Sequence, residues 1–403
     1  MANPANSLTG AIEEVFSKGV QKNLSATLVG SQITGKEAQA ALASGADTYN
    51  KPYIARGSAS TYTRYTDITP QAHTATNEQM IVNTAKVYDF SMDRLDSRQL
   101  QKAAAVIAHH QKEAAFALQR ELDAEVFAEY SNANYKFTGG NISTSATVSA
   151  TAVTTANSAE IFGEIHAHLM NVTGARQGLY AVIDPEHARF IQQRGLTDGF
   201  NIADAVFRNG YAGDFVGFKT FVSTNLPSSI SLNIATNPTD GDTFTINGVL
   251  FTFVATLGAV AGNVHICSTA AATVDNLVVA FNALGTAVAE ATDTGYVVIS
   301  QQDISRLPGV AATDGTTSLD LTLYGRPVVS ETLTDGTDAW DTAPVIHANF
   351  GEFGAIEQAI QENVSTMVTP REFQLGDLYK TYTLSGAKVF NEGADRFVDV
   401  QLG

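Results

Sequence analysis

Apolar positions change their period several times along the chain, and each change marks an element. From Ser97 to Tyr130 there is no Gly and no Pro. Leu100, Ala104, Ile107, Ala115, Leu118, Leu122 and Val126 recur there at helical spacing, with Gln111 as the polar interruption. Rich in Ala, Leu, Gln, Glu and Lys, the stretch predicts one helix over 97–130, N-capped by Asp96 or Ser97. At about 1.5 Å per residue it is about 50 Å long, which suits a spine better than a compact core.

Before it, residues 1–50 are polar and Ala-rich. One short amphipathic segment, Leu8–Val20, sets Ile12, Phe16 and Val20 on one helical face. The stretch Tyr53–Ala75 (YIARGSASTYTRYTDITPQAHTA) is Thr- and Tyr-rich with few aliphatics. It cannot make its own core and predicts a long projecting hairpin or loop. Met80–Met92 turns apolar and β-branched, as a strand does. Residues 141–158 read as a Ser/Thr/Ala linker or exposed strand. Then follow a helix over Ala159–Val172, a strand at Leu179–Ile183, a cap at Asp184-Pro185, a helix over Glu186–Arg194 and a strand at Phe218–Ser223.

At Ser228 the composition shifts. Between Ser228 and Ala343, Arg306 and Arg326 stand against twelve acidic residues, a net −10 within the chain's −17. Thr243–Ile246, Asn247-Gly248 and Val249–Val254 give the pattern of a hairpin with a type I′ turn. A helix over Val274–Leu284 and strands at Tyr296–Ser300, Leu319–Tyr324 and Val328–Leu333 complete what reads as an inserted α+β domain. From Pro344 the earlier style resumes, with a helix or strand around Ala355–Asn363, a segment Asp377–Leu384 and a closing strand Phe397–Leu402.

With 403 residues the chain has room for two or three domains. A net charge of −17 argues against a nucleic-acid reader, which needs clustered Lys and Arg. The single cysteine, Cys267, excludes an intramolecular disulfide and a multi-cysteine zinc site, and its apolar setting (VHICS) reads as a buried structural thiol. MANPANSLTGAIEEVFSKGV carries neither a basic nor an apolar signal region, so a secretory signal is not expected. No apolar run approaches the roughly eighteen residues of a membrane span. A cytoplasmic site of synthesis and use is expected.

Candidate chemistry is sparse. RNGYAGDFVGFKTFVSTNLP, residues 208–227, raises the question of a phosphate-cradling loop. Its Gly210, Gly213 and Gly217 lack the Gly-Lys-Ser/Thr of a Walker loop and the spacing of a dinucleotide fingerprint, and a strand follows. His109, His110 and Glu113 share a helix, with His109 and Glu113 four apart, but a third metal ligand is missing. Glu164, His166 and His168 have the same standing. Asp240-Gly241, Asp314-Gly315 and Asp335-Gly336 fit tight turns better than calcium loops. No nucleophile elbow or Cys/His pattern emerges. The expectation is no catalytic, cofactor-binding or metal residue, and no enzyme.

The order of parts carries a resemblance. An arm, a Tyr/Thr-rich projection, a strand, a very long helix and an α/β unit (LYAVIDPEHARFI) end in GDFVGFKTFVSTNLP. This resembles the major capsid proteins of tailed bacteriophages, whose axial-domain strand often reads Gly-Phe-x-hydrophobic-hydrophobic-x-Ser-x-Asn-Leu-Pro. The matching residues are Gly217, Phe218, Phe221, Ser223, Asn225, Leu226 and Pro227, with Gly213 before them, while Thr220 departs from the pattern. The resemblance covers about 1–227 and 344–403.

It implies an α+β, HK97-like fold: N-terminal arm 1–52, extended loop 53–78, and peripheral domain 79–158 with spine helix 97–130. The axial domain follows in two parts, 159–227 and 344–376, around an insertion domain 228–343, and 377–403 return to the peripheral domain. The implied function is self-assembly into hexamers and pentamers of an icosahedral head around double-stranded DNA, bound without sequence preference. Scaffold, portal and decoration proteins are the implied partners, and the virion, assembled in the host cytoplasm, the implied location. Lys51 lies near the loop, but no acceptor motif for a crosslink accompanies it. The insertion (DGDTFTINGVLFTFVAT…VDNLVVAFNAL) resembles small modules of other phage structural proteins and is expected on the outer surface. The competing readings are a shell of the same fold around protein cargo, a phage decoration, tail or receptor-binding protein, and a hydrolase, for which no constellation speaks.

Overall fold

The computed structural model describes residues 29–42, 45–54, 57–68, 70, 74–99, 103–144, 149–174, 178–197, 211–341, 343–370 and 375–403. The predicted segment Leu8–Val20 lies outside them. Two short helices, α1 (Gly30–Ile33) and α2 (Glu37–Leu42), lead into a hairpin of β1 (Thr48–Ile54) and β2 (Ala75–Ile81). Seven register pairs join its strands, from Thr48↔Ile81 to Ile54↔Ala75. β3 (Thr84–Asp93) starts after a break at Val82, whose N–H turns aside to the Asp47 carbonyl at 2.8 Å. The run Met80–Met92 is therefore two strands and not one. Next come α3 (Arg94–Gln99), α4 (Ala103–Ala128) and a 3-10 turn, Glu129–Asn132. Helix begins at 94 and not 97 because Asp93, not Asp96 or Ser97, supplies the cap: its carboxylate accepts the Leu95 N–H at 2.7 Å.

β4 (Tyr135–Thr138) and β5 (Asn141–Ser143) precede α5 (Ser158–Thr173), β6 (Leu179–Ile183), α6 (Pro185–Thr197), β7 (Tyr211–Phe215), β8 (Phe218–Val222) and β9 (Pro227–Asn233). Within 234–341 lie β10 (Thr243–Ile246), β11 (Val249–Val254), β12 (Asn263–His265), α7 (Ala270–Asn282), β13 (Val288–Ala291), β14 (Thr294–Tyr296), α8 (Gln301–Ile304), β15 (Ala311–Asp314), β16 (Ser318–Tyr324), β17 (Val329–Thr332) and β18 (Ala339–Trp340). The predicted hairpin is present residue for residue, with Asn247 and Gly248 at φ 52° and 76°, as a type I′ turn requires. The strand expected at Tyr296–Ser300 ends at Tyr296, because Ser300 caps α8 by accepting the Asp303 N–H. β19 (Val345–Glu352), β20 (Ile356–Pro370), β21 (Gly376–Val389), α9 (Asn391–Ala394) and β22 (Phe397–Leu402) close the chain. Ala355–Asn363, open between helix and strand on sequence, is strand from Ile356 onward.

The chain divides into two compact units. One comprises residues 85–119 and 362–383, a three-stranded sheet in the order β20-β21-β3 with the first part of α4. Phe90 stacks on both His110 and Tyr379, at 4.9 and 4.7 Å between ring centres. Ala114 and Leu118 are buried, whereas Val87, Met367, Val368 and Leu375 are exposed.

The other unit comprises residues 26–84, 120–361 and 384–403. Its main sheet runs β15-β16-β9-β19-β22-β4-β5, with β6, β8 and β7 branching in turn from β19. Among the described residues it holds two large cores and a smaller third around Met80 and Phe390. The first draws on residues up to Leu226 and from Ile346 onward, and the second on residues between Ile230 and Trp340. The second core packs Phe251 against Phe244 and Phe281, with ring centres 5.1 and 4.9 Å apart. Each such ring contributes about 1.5–3 kcal/mol on burial. β9 belongs to both regions: it pairs with β16 over seven residues and with β19 over two.

Candidate functional site

The stretch that raised the question of a phosphate loop is a hairpin. β7 and β8 meet at Val216 and Gly217, with φ 48° and 81°. A Cβ on Gly217 would lie 2.6 Å from His166 Nε2, so glycine is needed there for space as well as for conformation. Gly213 lies within β7, and Gly210 lies outside the described residues. Phe218 and Phe221 are buried in the first core, and Phe215 packs at its edge. Ser223 shapes the exit by accepting the Asn225 N–H at 3.1 Å. The Asn225 amide reaches Asp123 on α4, and Leu226 enters the core. The residues of the motif thus serve architecture.

The remaining candidates resolve similarly. His110 lies against Phe90, and His109 lies beside His110. His166 is edge-on to Phe218, and His168 is edge-on to Tyr135 with its Nε2 buried and unpartnered. Burial lowers the His168 pKa. Asp314 accepts the Thr316 N–H and Asp335 that of Thr337, each closing a turn, while Asp240 reaches across to accept the Ala255 N–H. Burial, aided by the charge of Asp293, pushes the Cys267 thiol up to about 11, which makes it a poor nucleophile at neutral pH. Among the described residues no three His, Cys, Asp or Glu side chains are placed to hold a metal ion.

One constellation escaped the sequence reading. β19 and β22 pair so that Ile346, Ala348 and Phe350 face Leu402, Val400 and Val398, while His347 faces Gln401 and Asn349 faces Asp399. One sheet face is apolar core; the other is a buried polar row. On it Tyr130 bonds Ser229, Ser229 Oγ lies 2.9 Å from His347 Nε2, and His347 Nδ1 lies 3.0 Å from Asp399. Gln401 donates to Asp399, and the Tyr130 ring stacks on His347 at 4.0 Å. The chain Tyr–Ser–His–Asp is satisfied by a single set of proton positions. It has the order of a hydrolytic triad without the setting of one. Ser229 sits mid-strand, paired with Thr322 on one side and Val345 on the other, not on an elbow beside free N–H groups. Its role is to tie β9, where the second core begins, to β19, β22 and the end of the long helix.

A cleft of about 420 Å³ opens beside this joint, lined by Asp184, Glu186, Ser223, Thr224 and Arg326 among others. Asp184 accepts the His187 N–H, contacts the His187 ring and lies 3.3 Å from Arg326. Burial alone would raise its pKa, but the bonds and charge of His187 and the charge of Arg326 hold it below the usual carboxylate range.

The β1–β2 hairpin is anchored at its base. Tyr49, Met80 and Phe390 share a small core. Lys51 ion-pairs with Glu37 and Glu392, and Lys388 donates to the Gln79 carbonyl. Residues 57–68 are exposed throughout, including Tyr62, Tyr65 and Ile68.

Neither a protein-family model nor a curated protein matches the chain. Among solved structures it is similar to one from Mycobacterium phage Che8, at 12% identity and a TM-score of 0.52, over 96% of this chain and 96% of that one. It is also similar to the capsid structure of the Cyanophage P-SCSP1u (12% identity, TM-score 0.49, 100% and 97% covered). A third is the capsid of Myoviridae Phage XM1 (10% identity, TM-score 0.46, 100% of both). At such identities the likeness is one of fold, and it is the first of the three that carries it. The chain has the mixed α+β, HK97-like fold.

Proposed function

We propose that the chain is the major capsid protein of a tailed bacteriophage, a structural subunit and not an enzyme. The observation that carries the proposal is the fold, shared with a phage structure over nearly the full length of both chains. Fold alone underdetermines function, and three features of this chain support the step. The motif GFKTFVSTNLP forms a strand anchored in a core by Phe218, Phe221 and Leu226, in keeping with the strand the resemblance implies. The exposed hairpin tip has no core of its own and gains burial by lying on another subunit. The polar array that most resembles a catalytic site is a joint between strands.

In this reading many copies form hexamers and pentamers of an icosahedral head around double-stranded DNA. Residues 1–52 are the arm, 53–78 the extended loop, and 79–158 with 377–403 the peripheral domain. Residues 159–227 with 344–376 are the axial domain, and 228–343 an outward insertion. Outside the insertion the chain carries −7 of its −17, an acidic balance that lets packaged DNA slide past the wall instead of adhering. No helix among the described residues is long and apolar enough to cross a membrane. Scaffold, portal and decoration proteins are candidate partners of such a shell, and the host cytoplasm is its place of assembly. Sedimentation and negative-stain microscopy of the purified chain test the proposal. Closed shells or hexameric and pentameric capsomers are expected; a monodisperse small oligomer under all assembly conditions would sink it.

A further inference from the structure

Residues 29–42 are held by two buried carboxylates. Asp123 accepts the N–H groups of Val29, at 3.0 Å, and Gly30, where α1 begins. Glu357 on β20 accepts those of Glu37 and Ala38, at 3.2 and 3.4 Å, where α2 begins. The two acids are 4% and 7% exposed. Between them the Gly35 N–H bonds the Ile356 carbonyl at 2.7 Å, and the Gly354 N–H bonds that of Ile33 at 3.0 Å. Gln39 exchanges two bonds with the backbone of Ile360. The segment is a strap laced to the edge of β20, with Ile33, Ala38 and Leu42 tucked into the cores.

Burial disfavours the charged form of a carboxylate while amide donors favour it, and at these two acids burial prevails. The groups facing Asp123 are the amides of Val29, Gly30 and Asn225. Those facing Glu357 are Glu37, Lys51, Tyr49 and Arg396, together with the Ala38 amide. Burial raises the Asp123 pKa in spite of its amide donors, and raises that of Glu357 in spite of the Ala38 bond and the Lys51 charge.

We propose that closure of the strap 29–42 is coupled to proton uptake at Asp123 and Glu357, so that the strap tightens in mild acid and loosens as pH rises. The sign follows from linkage. Opening returns both acids to water and to the ordinary carboxylate range, whereas the closed strap holds their protons more firmly. Protons therefore favour closure, and the added stability is lost as pH climbs through the raised folded values. This is the reverse of the usual paired carboxylate, and it does not depend on shell assembly.

Hydrogen exchange of the full chain at about pH 5 and about pH 8, corrected for the intrinsic rate, reads the coupling. Amides of residues 30–42 are expected to be several-fold better protected at the lower pH, measured against those of β19. Glu357→Gln keeps an acceptor oxygen but takes up no proton, so it should weaken the dependence, as should Asp123→Asn, and the double variant should flatten it. Equal protection at both pH values overturns the proposal, as does a dependence that survives undiminished in the double variant. If a variant loses protection in β19 it is unfolded, and the unmodified chain's own pH comparison then decides.

Discussion

The side-chain amide of Asn225 donates to the buried carboxylate of Asp123 at 3.2 Å, joining the end of the GFKTFVSTNLP stretch to the long helix across 102 residues of sequence. Asp123 is the same group that holds Val29 and Gly30, so one carboxylate ties three segments together. Asn225→Ala removes a donor from a buried acceptor and should cost about 1–3 kcal/mol. For a cooperative unit of this size that is a fall of about 2–4 °C in Tm per kcal/mol, read by calorimetry. Asn225→Asp should be worse, because it sets a second carboxylate against the first. A Tm unchanged in both variants would show that the link contributes nothing.

Gly217 faces two constraints that a double-mutant cycle can separate. Its φ of 81° strains any residue with a Cβ, and that Cβ would press on His166. Gly217→Ala should destabilise by about 1–3 kcal/mol. Adding His166→Ala should recover the part owed to the clash and leave the part owed to the backbone. Strict additivity of the two substitutions in urea unfolding would mean that they do not interact.

The buried row on β19 and β22 predicts an asymmetry. Asp399→Ala leaves the His347 Nδ1 side without its partner in a site closed to water, and should cost about 1–3 kcal/mol. Ser229→Ala leaves Asp399 and His347 paired and should cost less. Equal costs in chemical denaturation would contradict the order of the chain.

Asp184 should make stability fall in acid. Because its folded pKa is depressed, the stability it contributes is present above the ordinary carboxylate pKa of about 4 and is lost as pH falls through the folded value. Arg326→Gln removes one source of that depression. The variant should be less stable than the parent at neutral pH, with the gap closing as pH falls through the depressed folded value of Asp184. A gap independent of pH in paired urea titrations would locate the effect of Arg326 elsewhere.

What the sequence made legible was local. The hairpin 243–254 and the strands 179–183 and 397–402 have their bounds set by neighbours a few residues away: an Asn-Gly turn, an Asp-Pro cap, an alternating run. What it hid was long-range. VIHANFGE and FVDVQL alternate apolar and polar, which reads as strands with one wet face. In the fold that face is dry, because Tyr130 and Ser229 arrive from distant segments to satisfy His347 and Asp399. No spacing rule links Ser229 to a histidine 118 residues on. The β-branched run after Tyr296 misled for a related reason: Ser300 is taken by a helix cap, and the Tyr296 hydroxyl bonds the Leu284 carbonyl.

The hairpin 48–81 separates folding from assembly. Its base carries buried Met80 against Phe390, the Lys51 ion pairs and the Lys388 link, so it belongs to the folded chain. Its tip, 57–68, is exposed along its whole length and returns little energy to the isolated subunit. Replacing 57–68 with a short Gly-Ser turn should therefore leave Tm within about 2 °C, since exposed substitutions rarely exceed about 0.5 kcal/mol. The same change should abolish closed particles in sedimentation if the tip binds a neighbouring copy. Lys51→Ala should behave differently, lowering Tm and particle yield together, because it loosens the base. A tip-shortened chain that still builds shells in normal yield would remove the hairpin from the assembly contacts, and the exposed tyrosines would then need another explanation.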